Sequence, residues 1–200
     1  TTQYGNYGLR FNAAGEYARI TPIPTYQQYT RYLSVEVEFT RTGGGSGTAY
    51  GVLCGMGTGS AFGNRQWLLE NDNGDGGWGQ TLQVWWNSQP GIWSIPYPSN
   101  NVVHHLVIMY DGGSTSNVPT FVLDGVVQTV TNRLGASGSL RTGGTHFSVG
   151  NSAEAGGTWA GNVYRCRTWN RMLTINEARE LYKDPYQIYK KPKFPIPFIS

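Results

Sequence analysis

Charge is scarce in this chain: 14% of its 200 residues are charged, and 15 basic against 12 acidic side chains leave a net charge of +3. Much of that excess sits in the tail at Lys190, Lys191 and Lys193, which reads as a solvated basic end and requires no nucleic-acid partner. Long apolar runs are missing, which removes a membrane-spanning helix from the expectation. The opening residues, TTQYGNYGLRF, carry neither a basic n-region nor an apolar core. No secretory leader is expected, and if Thr1 follows a removed initiator methionine the chain is expected to be a complete, unsecreted product. The two cysteines, Cys54 and Cys166, each fall inside an expected strand rather than a metal-like cluster, so zinc has no support. Two buried free thiols are expected, and a disulfide between them needs neighbouring strands in suitable register. No segment repeats at a fixed period, against solenoids and propellers. The glycines of 41–48 match no phosphate-binding fingerprint, and the serines sit in loops rather than at a nucleophile elbow.

What is abundant is glycine and large aromatics: 28 Gly, 13 Tyr and 7 Trp describe many short strands joined by tight turns, in one domain. Leu9 and Phe11, then Tyr17 and Ile20, bracket an Asn12–Gly15 turn and predict an opening hairpin. Leu33, Val35, Val37 and Phe39 alternate with Ser34, Glu36, Glu38 and Thr40, a half-buried strand whose carboxylates face outward into solvent. Strands follow at 49–54, 66–71 and 80–87, the last with Leu82, Val84 and Trp86 inward and Gln83 and Trp85 outward. Ile92 to Pro98 reads as an aromatic, proline-punctuated loop. Then come a strand from His105 to Tyr110, a hairpin at 120–130 turning on Asp124-Gly125, a loose stretch to Gly144 and a strand from Thr145 to Val149. His104 and His105 are adjacent on a strand, point to opposite faces and cannot share one metal; with His146 on another strand, structural histidines are expected.

Two periods meet between Gly161 and Tyr182. Val163, Arg165, Arg167 and Trp169 alternate with Tyr164, Cys166 and Thr168, the pattern of a strand. Thr174, with Glu177 three residues on, caps a helix whose Ile175, Ala178, Leu181 and Tyr182 form an apolar stripe, and Asp184-Pro185 stops it. This stretch, together with His104 to Gly112, Phe121-Val122-Leu123-Asp124-Gly125 and Phe147 to Gly150, resembles in order and spacing the laminin-G-like (concanavalin A-like lectin/glucanase) domains. The resemblance covers roughly the second half of the chain. It implies an antiparallel β-sandwich, a concanavalin A-like jelly roll with one short C-terminal helix, over residues 1–189. Residues 190–200, with prolines at 192, 195 and 197, are expected to form an extended arm that either straps over its own sandwich or docks on a neighbouring subunit.

The resemblance also frames the candidate sites. One branch of the fold carries Glu-x-Asp-x-x-Glu as nucleophile and acid; here the string is Glu70-Asn71-Asp72-Asn73-Gly74-Asp75, with a shorter third carboxylate in a glycine turn. No catalytic pair is expected. The same turn is a candidate calcium site through Asp72, Asn73 and Asp75, because relatives hold calcium at a rim and hard oxygen donors suit the ion. No other cofactor is expected. Exposed aromatic faces stack on sugar rings while amides and carboxylates take the hydroxyls. Of Trp78, Trp85, Trp93, Tyr97 and Trp159, the candidate carbohydrate contacts are Trp85, Trp93 and Tyr97, with Gln83 beside Trp85. Trp86 and Trp169 are expected in the core, and Trp159 where relatives have a buried aromatic.

The function expected is binding rather than catalysis. A similar Asp-Pro-aromatic-Gln ending, here Asp184 to Gln187, recurs in laminin-G-like proteins of phages and their hosts. The expectation is a phage virion surface protein, decorating or receptor-binding, that meets other virion proteins through its arm and surface glycans through its sandwich, with homo-oligomers possible. The alternative is a carbohydrate-binding module of a bacterial extracellular protein, and a glucanase comes third.

Overall fold

A computed structural model describes residues 8–11, 16–24, 29–43, 50–57, 65–72, 77–151 and 157–186. Among them thirteen strands and one helix, numbered along the chain, form two facing sheets. The six-stranded sheet runs in the order β1 (Leu9–Phe11), β13 (Gly161–Trp169), β3 (Tyr32–Arg41), β8 (Val103–Asp111), β9 (Thr120–Leu123) and β10 (Val126–Val127). The seven-stranded sheet runs β11 (Thr131–Leu134), β7 (Gly91–Ile95), β6 (Gly79–Val84), β5 (Arg65–Asp72), β4 (Tyr50–Gly57), β12 (His146–Val149) and β2 (Ala18–Ile20). Every strand pair is antiparallel. No helix among the described residues is long and apolar enough to cross a membrane.

Alternation along β3 sets the interior. Leu33, Val35, Val37 and Phe39 are all buried and meet Leu69, Leu82, Val84 and Trp93 of the opposite sheet in one core. Trp159 and Trp86 belong to that core, as expected. The Trp159 ring stands edge-on to Phe39 at 5.3 Å and its indole N–H donates to the Thr40 carbonyl at 3.0 Å, so a large apolar group is buried with its one polar atom satisfied.

The expected opening hairpin does not form. β1 pairs with β13 in one sheet and β2 with β12 in the other, because each short strand has a longer partner elsewhere and Phe11 turns into the core between them. The Phe11 ring fills the space over Gly150, where a Cβ would sit 2.2 Å from it and where φ is +86°. The turn at 12–15 lies outside the described residues, as does the arm at 190–200.

β13 also departs from plain alternation. Its register with β3 slips between Val163 and Arg165, so Tyr164 is an extra residue. Val163 and Cys166 therefore share the core face, and Arg165, Arg167 and Trp169 face outward, whereas plain alternation puts Val163 with the arginines.

Helix α1 (Ile175–Lys183) lies on the outer face of the six-stranded sheet. The Thr174 hydroxyl accepts from the Glu177 N–H at 3.1 Å, and the Glu177 carboxylate accepts from the Thr174 N–H at 2.7 Å, closing the expected capping box. Arg171 and that backbone N–H hold the Glu177 carboxyl down at about 2. Ala178 and Leu181 are buried on Val107, Met109 and Val122, while Ile175 and Tyr182 remain exposed at 40% and 46%. Trp169 packs half-buried under this helix instead of in the main core.

Candidate functional site

The outer face of the seven-stranded sheet carries two of the expected carbohydrate contacts, Gln83 and Trp85. Along β6, Leu82 and Val84 point into the core, so Thr81 and Gln83 point out, and Trp85 follows on the same side. Register places Leu68 opposite Gln83, Glu70 opposite Thr81, and Ile92 and Ser94 opposite Gln83 and Thr81 on the other flank. Trp85 packs on Val52 and Leu68, and the Arg65 guanidinium lies 5.4 Å from its ring centroid. The ring is thus half-buried and clamped, with a hydrocarbon floor and a cation at its side. The Gln83 amide donates to the Glu70 carboxylate. On β11, Arg133 donates from Nε to Ser94 Oγ at 2.8 Å and from Nη2 to the Trp78 carbonyl at 3.3 Å. A fixed aromatic plane thereby stands beside the Arg65 guanidinium, with the Gln83 amide and its Glu70 partner on the same face, while Arg133 is anchored toward the Gly79 end.

Trp85 and Gln83 are brought together as the alternation requires. Trp93 is not part of this face. Residues 91–95 form strand β7 and not a loop, and its period turns Trp93 and Ile95 inward, where Trp93 is 1% exposed and lies 5.0 Å from the Tyr110 ring. Tyr97 is half-buried beneath the Arg41 guanidinium, 4.4 Å from its centroid, just beyond the Gly79 end of β6. Six strand residues separate that end from Trp85, about 20 Å at ~3.3 Å per residue, so one sugar cannot touch both. Arg133, Ser94 and Arg65 were not among the expected contacts. Arg133 and Ser94 sit on strands whose sequence reads as loop, and Arg65 begins a strand whose apparent start is one residue later.

Glu70 is 3% exposed. The Asp72 backbone ends β5 opposite Gly79, while its side chain, Asn73 and Asp75 lie outside the described residues. Among the described residues, no three His, Cys, Asp or Glu side chains converge as a metal site. His146 is buried on the outer face with Ser148; burial, then the charge of Arg19, lowers its pKa and favours the neutral ring.

The outer face of the other sheet holds a second polar cluster, and here Glu36 departs from the solvated position expected of it. It is fully buried. His105 Nε2 lies 2.9 Å from its Oε1, Arg165 Nε donates to the same oxygen at 3.0 Å, and Arg167 grips both oxygens, at 2.5 Å from Nε and 2.8 Å from Nη2. Arg165 also meets Glu38 at 2.9 Å. The cover comes from the C-terminal segment: Tyr182 lies 5.7 Å from the His105 ring, Arg167 donates to the Pro185 carbonyl, and Tyr186 lies 6.0 Å from the Arg165 guanidinium. Burial drives the Glu36 carboxyl upward, but hydrogen bonds from His105 and Arg167 and the charges of both arginines outweigh it and hold the group below the ordinary carboxylate range.

His104 takes the opposite face from His105, as adjacency dictates. Its Nδ1 lies 2.7 Å from Asp124 Oδ2, and its Nε2 lies 3.0 Å from Ser99 Oγ and 3.1 Å from the Ser99 carbonyl. Asp124 also accepts the His105 N–H at 2.8 Å. With Asp124 at φ +51° and Gly125 at φ +79°, this carboxylate ties the β9–β10 turn to β8, a structural use of the Ser, His and Asp types.

No family model and no curated protein matches the sequence. Among solved structures, the native heptameric SAP-like pentraxin from Limulus polyphemus is similar with a TM-score of 0.61 at 14% identity, covering 88% of this chain and 80% of that one. The CBM40 of the Ruminococcus gnavus IT-sialidase, bound to alpha2,3 sialyllactose, gives 0.57 at 14% identity over 77% and 84%. The K499G mutant of NanB sialidase from Streptococcus pneumoniae gives 0.64 at 12% identity over 87% of this chain, which spans 27% of that one. At such identities the likeness is one of architecture, and the chain is an antiparallel β-sandwich of the concanavalin A-like jelly-roll fold, with one short helix following the last strand among the described residues.

Proposed function

We propose that this chain is a non-catalytic glycan-binding module whose ligand face is the outer surface of the seven-stranded sheet around Trp85. The observation that carries the reading is the Trp85 ring clamped on Val52 and Leu68 beside the Arg65 guanidinium, with Gln83, bonded to Glu70, two residues back on the same face: apolar stacking next to fixed hydroxyl partners. The shared architecture with a pentraxin and with a CBM40 solved with sialyllactose supports it. Glycoside cleavage by paired carboxylates needs two of them, about 5–9 Å apart. Glu70 is the one carboxylate whose described side chain lies on this face, and Gln83 already occupies it.

A glycan array read with the wild type and Trp85→Ala tests the face. Loss of a central aromatic anchor is expected to weaken binding about 30-fold, about 2 kcal/mol. An unchanged array profile in the variant removes the face from consideration. Polysaccharide cleavage by the pure protein, lost in Glu70→Gln, overturns the non-catalytic reading.

The setting proposed is a virion surface, supported by the Asp184 to Gln187 ending and by the proline-spaced arm. Deleting residues 190–200 is expected to release the protein from particles while leaving glycan binding intact. A deletion variant that stays particle-bound favours the extracellular module.

A further inference from the structure

The two cysteines stand in different sheets, yet both face the core, and each reaches it beside a bulge. In β4 the register with β5 slips between Val52 and Cys54, so the consecutive Leu53 and Cys54 both point inward. In β13 the slip at Tyr164 turns Cys166 to the same interior. A cleft of about 270 Å³ between the sheet edges is lined by Cys166 together with Met56 and Phe147. A second, of about 280 Å³, joins Cys166 to Val149. Val149 is the residue paired with Cys54 across β12 and β4, and Met56 lies two residues from Cys54 on the same face. The positions converge: Cys166 packs against the core cluster that holds Cys54, and it shares its clefts with Val149 and Met56, the residues that flank Cys54 on β12 and β4. Cys54 is fully buried, whereas Cys166 is partly open to the clefts.

We propose that Cys54 and Cys166 are an oxidisable pair, in which a peroxide entering the cleft oxidises Cys166 and Cys54 then closes an inter-sheet disulfide. In the first step the Cys166 sulfur attacks a peroxide oxygen, the O–O bond breaks, and Cys166 becomes a sulfenic acid as water leaves. In the second the Cys54 sulfur attacks the Cys166 sulfur, and the sulfenic hydroxyl departs with the Cys54 proton as a second water. Two thiols lose two electrons and hydrogen peroxide gains them.

The order follows from access. Cys166 meets solvent first, while burial, then the hydrogen bond and charge of Cys166, push the Cys54 thiol well above the ordinary thiol range, so its attack is the slow step. Sheets packed face to face stand about 10 Å apart and a disulfide holds its Cα atoms within about 7 Å. Closure therefore draws β4 and β13 together at their bulges, where strands already bend. The bond would close a loop running from residue 54 to residue 166, long enough to restrict the unfolded chain strongly.

The test is mild hydrogen peroxide treatment of the folded, full-length protein, followed by alkylation and non-reducing peptide mapping. The expected product is an intramolecular peptide cross-link between Cys54 and Cys166, with the midpoint of thermal unfolding raised by about 10 °C and returned by dithiothreitol. In Cys54→Ala, dimedone is expected to trap a sulfenic acid on Cys166; Cys166→Ser is expected to show no cross-link, no dimedone adduct and no thermal shift. The proposal is overturned if Cys166 passes to sulfinic or sulfonic acid while Cys54 stays reduced, or if the cross-link joins two chains. Should Cys54→Ala fail to fold, peptide mapping of the wild type and Cys166→Ser still decides it.

Discussion

Trp93→Ala is expected to destabilise the fold by about 3–5 kcal/mol, the cost of removing a large buried aromatic and leaving a cavity. At ~2–4 °C per kcal/mol for a chain of this size, the unfolding midpoint falls by roughly 10 °C. Trp93 is 1% exposed, with Leu82 beside it on β6, and its ring lies 5.0 Å from Tyr110 of β8 in the opposite sheet. It therefore bridges the two layers. The neighbouring strand start is fitted to it: a Cβ on Gly91 would lie 2.2 Å from the indole, so the glycine makes room and no small shift refills the space. Thermal unfolding followed by circular dichroism measures the effect. A variant with an unchanged midpoint and abolished glycan binding would put Trp93 back on the ligand face. Trp85→Ala should show the reverse pattern, because Trp85 rests on Val52 and Leu68 at the outer surface.

The contrast between these two tryptophans shows what local sequence contains. Trp85 follows an unbroken alternation, Leu82-Gln83-Val84, and its side follows from parity alone. Ile92-Trp93-Ser94-Ile95 also alternates, but Pro96 and Pro98 close behind it make the segment read as a loop, so its parity is never applied. The capping box at Thr174 and the Asp124-Gly125 hairpin were legible because both depend on residues a few positions apart. Three features were not. The parting of β1 and β2 into different sheets depends on partners more than a hundred residues away. The bulges at Leu53 and Tyr164 invert parity at residues that are themselves neither glycine nor proline. The third is the covering of Glu36: alternation assigns it correctly to the outer face of β3, but says nothing of what packs on that face. The signal lay in the partner strand, where Arg165 and Arg167 flank Cys166 with the same two-residue spacing as Glu36 and Glu38 around Val37.

Glu36→Ala is expected to cost about 3–5 kcal/mol, because it leaves buried positive charge without its counter-ion. Arg165 and Arg167 have side chains only 13% exposed, and both aim at the carboxylate. His105 loses the same partner. The loss should spread to the C-terminal segment, since Arg167 also holds the Pro185 carbonyl and Tyr186 lies against Arg165. Faster amide exchange through α1 is expected alongside the lower unfolding midpoint. A second expectation separates lost charge from lost packing. The Glu36 carboxyl is held below its ordinary range in the folded protein, so its contribution is fully present above the pKa of the unfolded chain and is lost as pH falls through the folded value. Wild-type stability should therefore drop as pH falls below the ordinary carboxylate range, and Glu36→Gln, destabilised at neutral pH, should lack that component of the slope. If Glu36→Gln keeps the wild-type slope, the acid sensitivity belongs to other carboxylates. Replacing Glu36, Arg165 and Arg167 together with apolar residues of similar volume should recover much of the single-variant loss, because the cost lies in unpaired buried charge rather than in the absence of an ion pair.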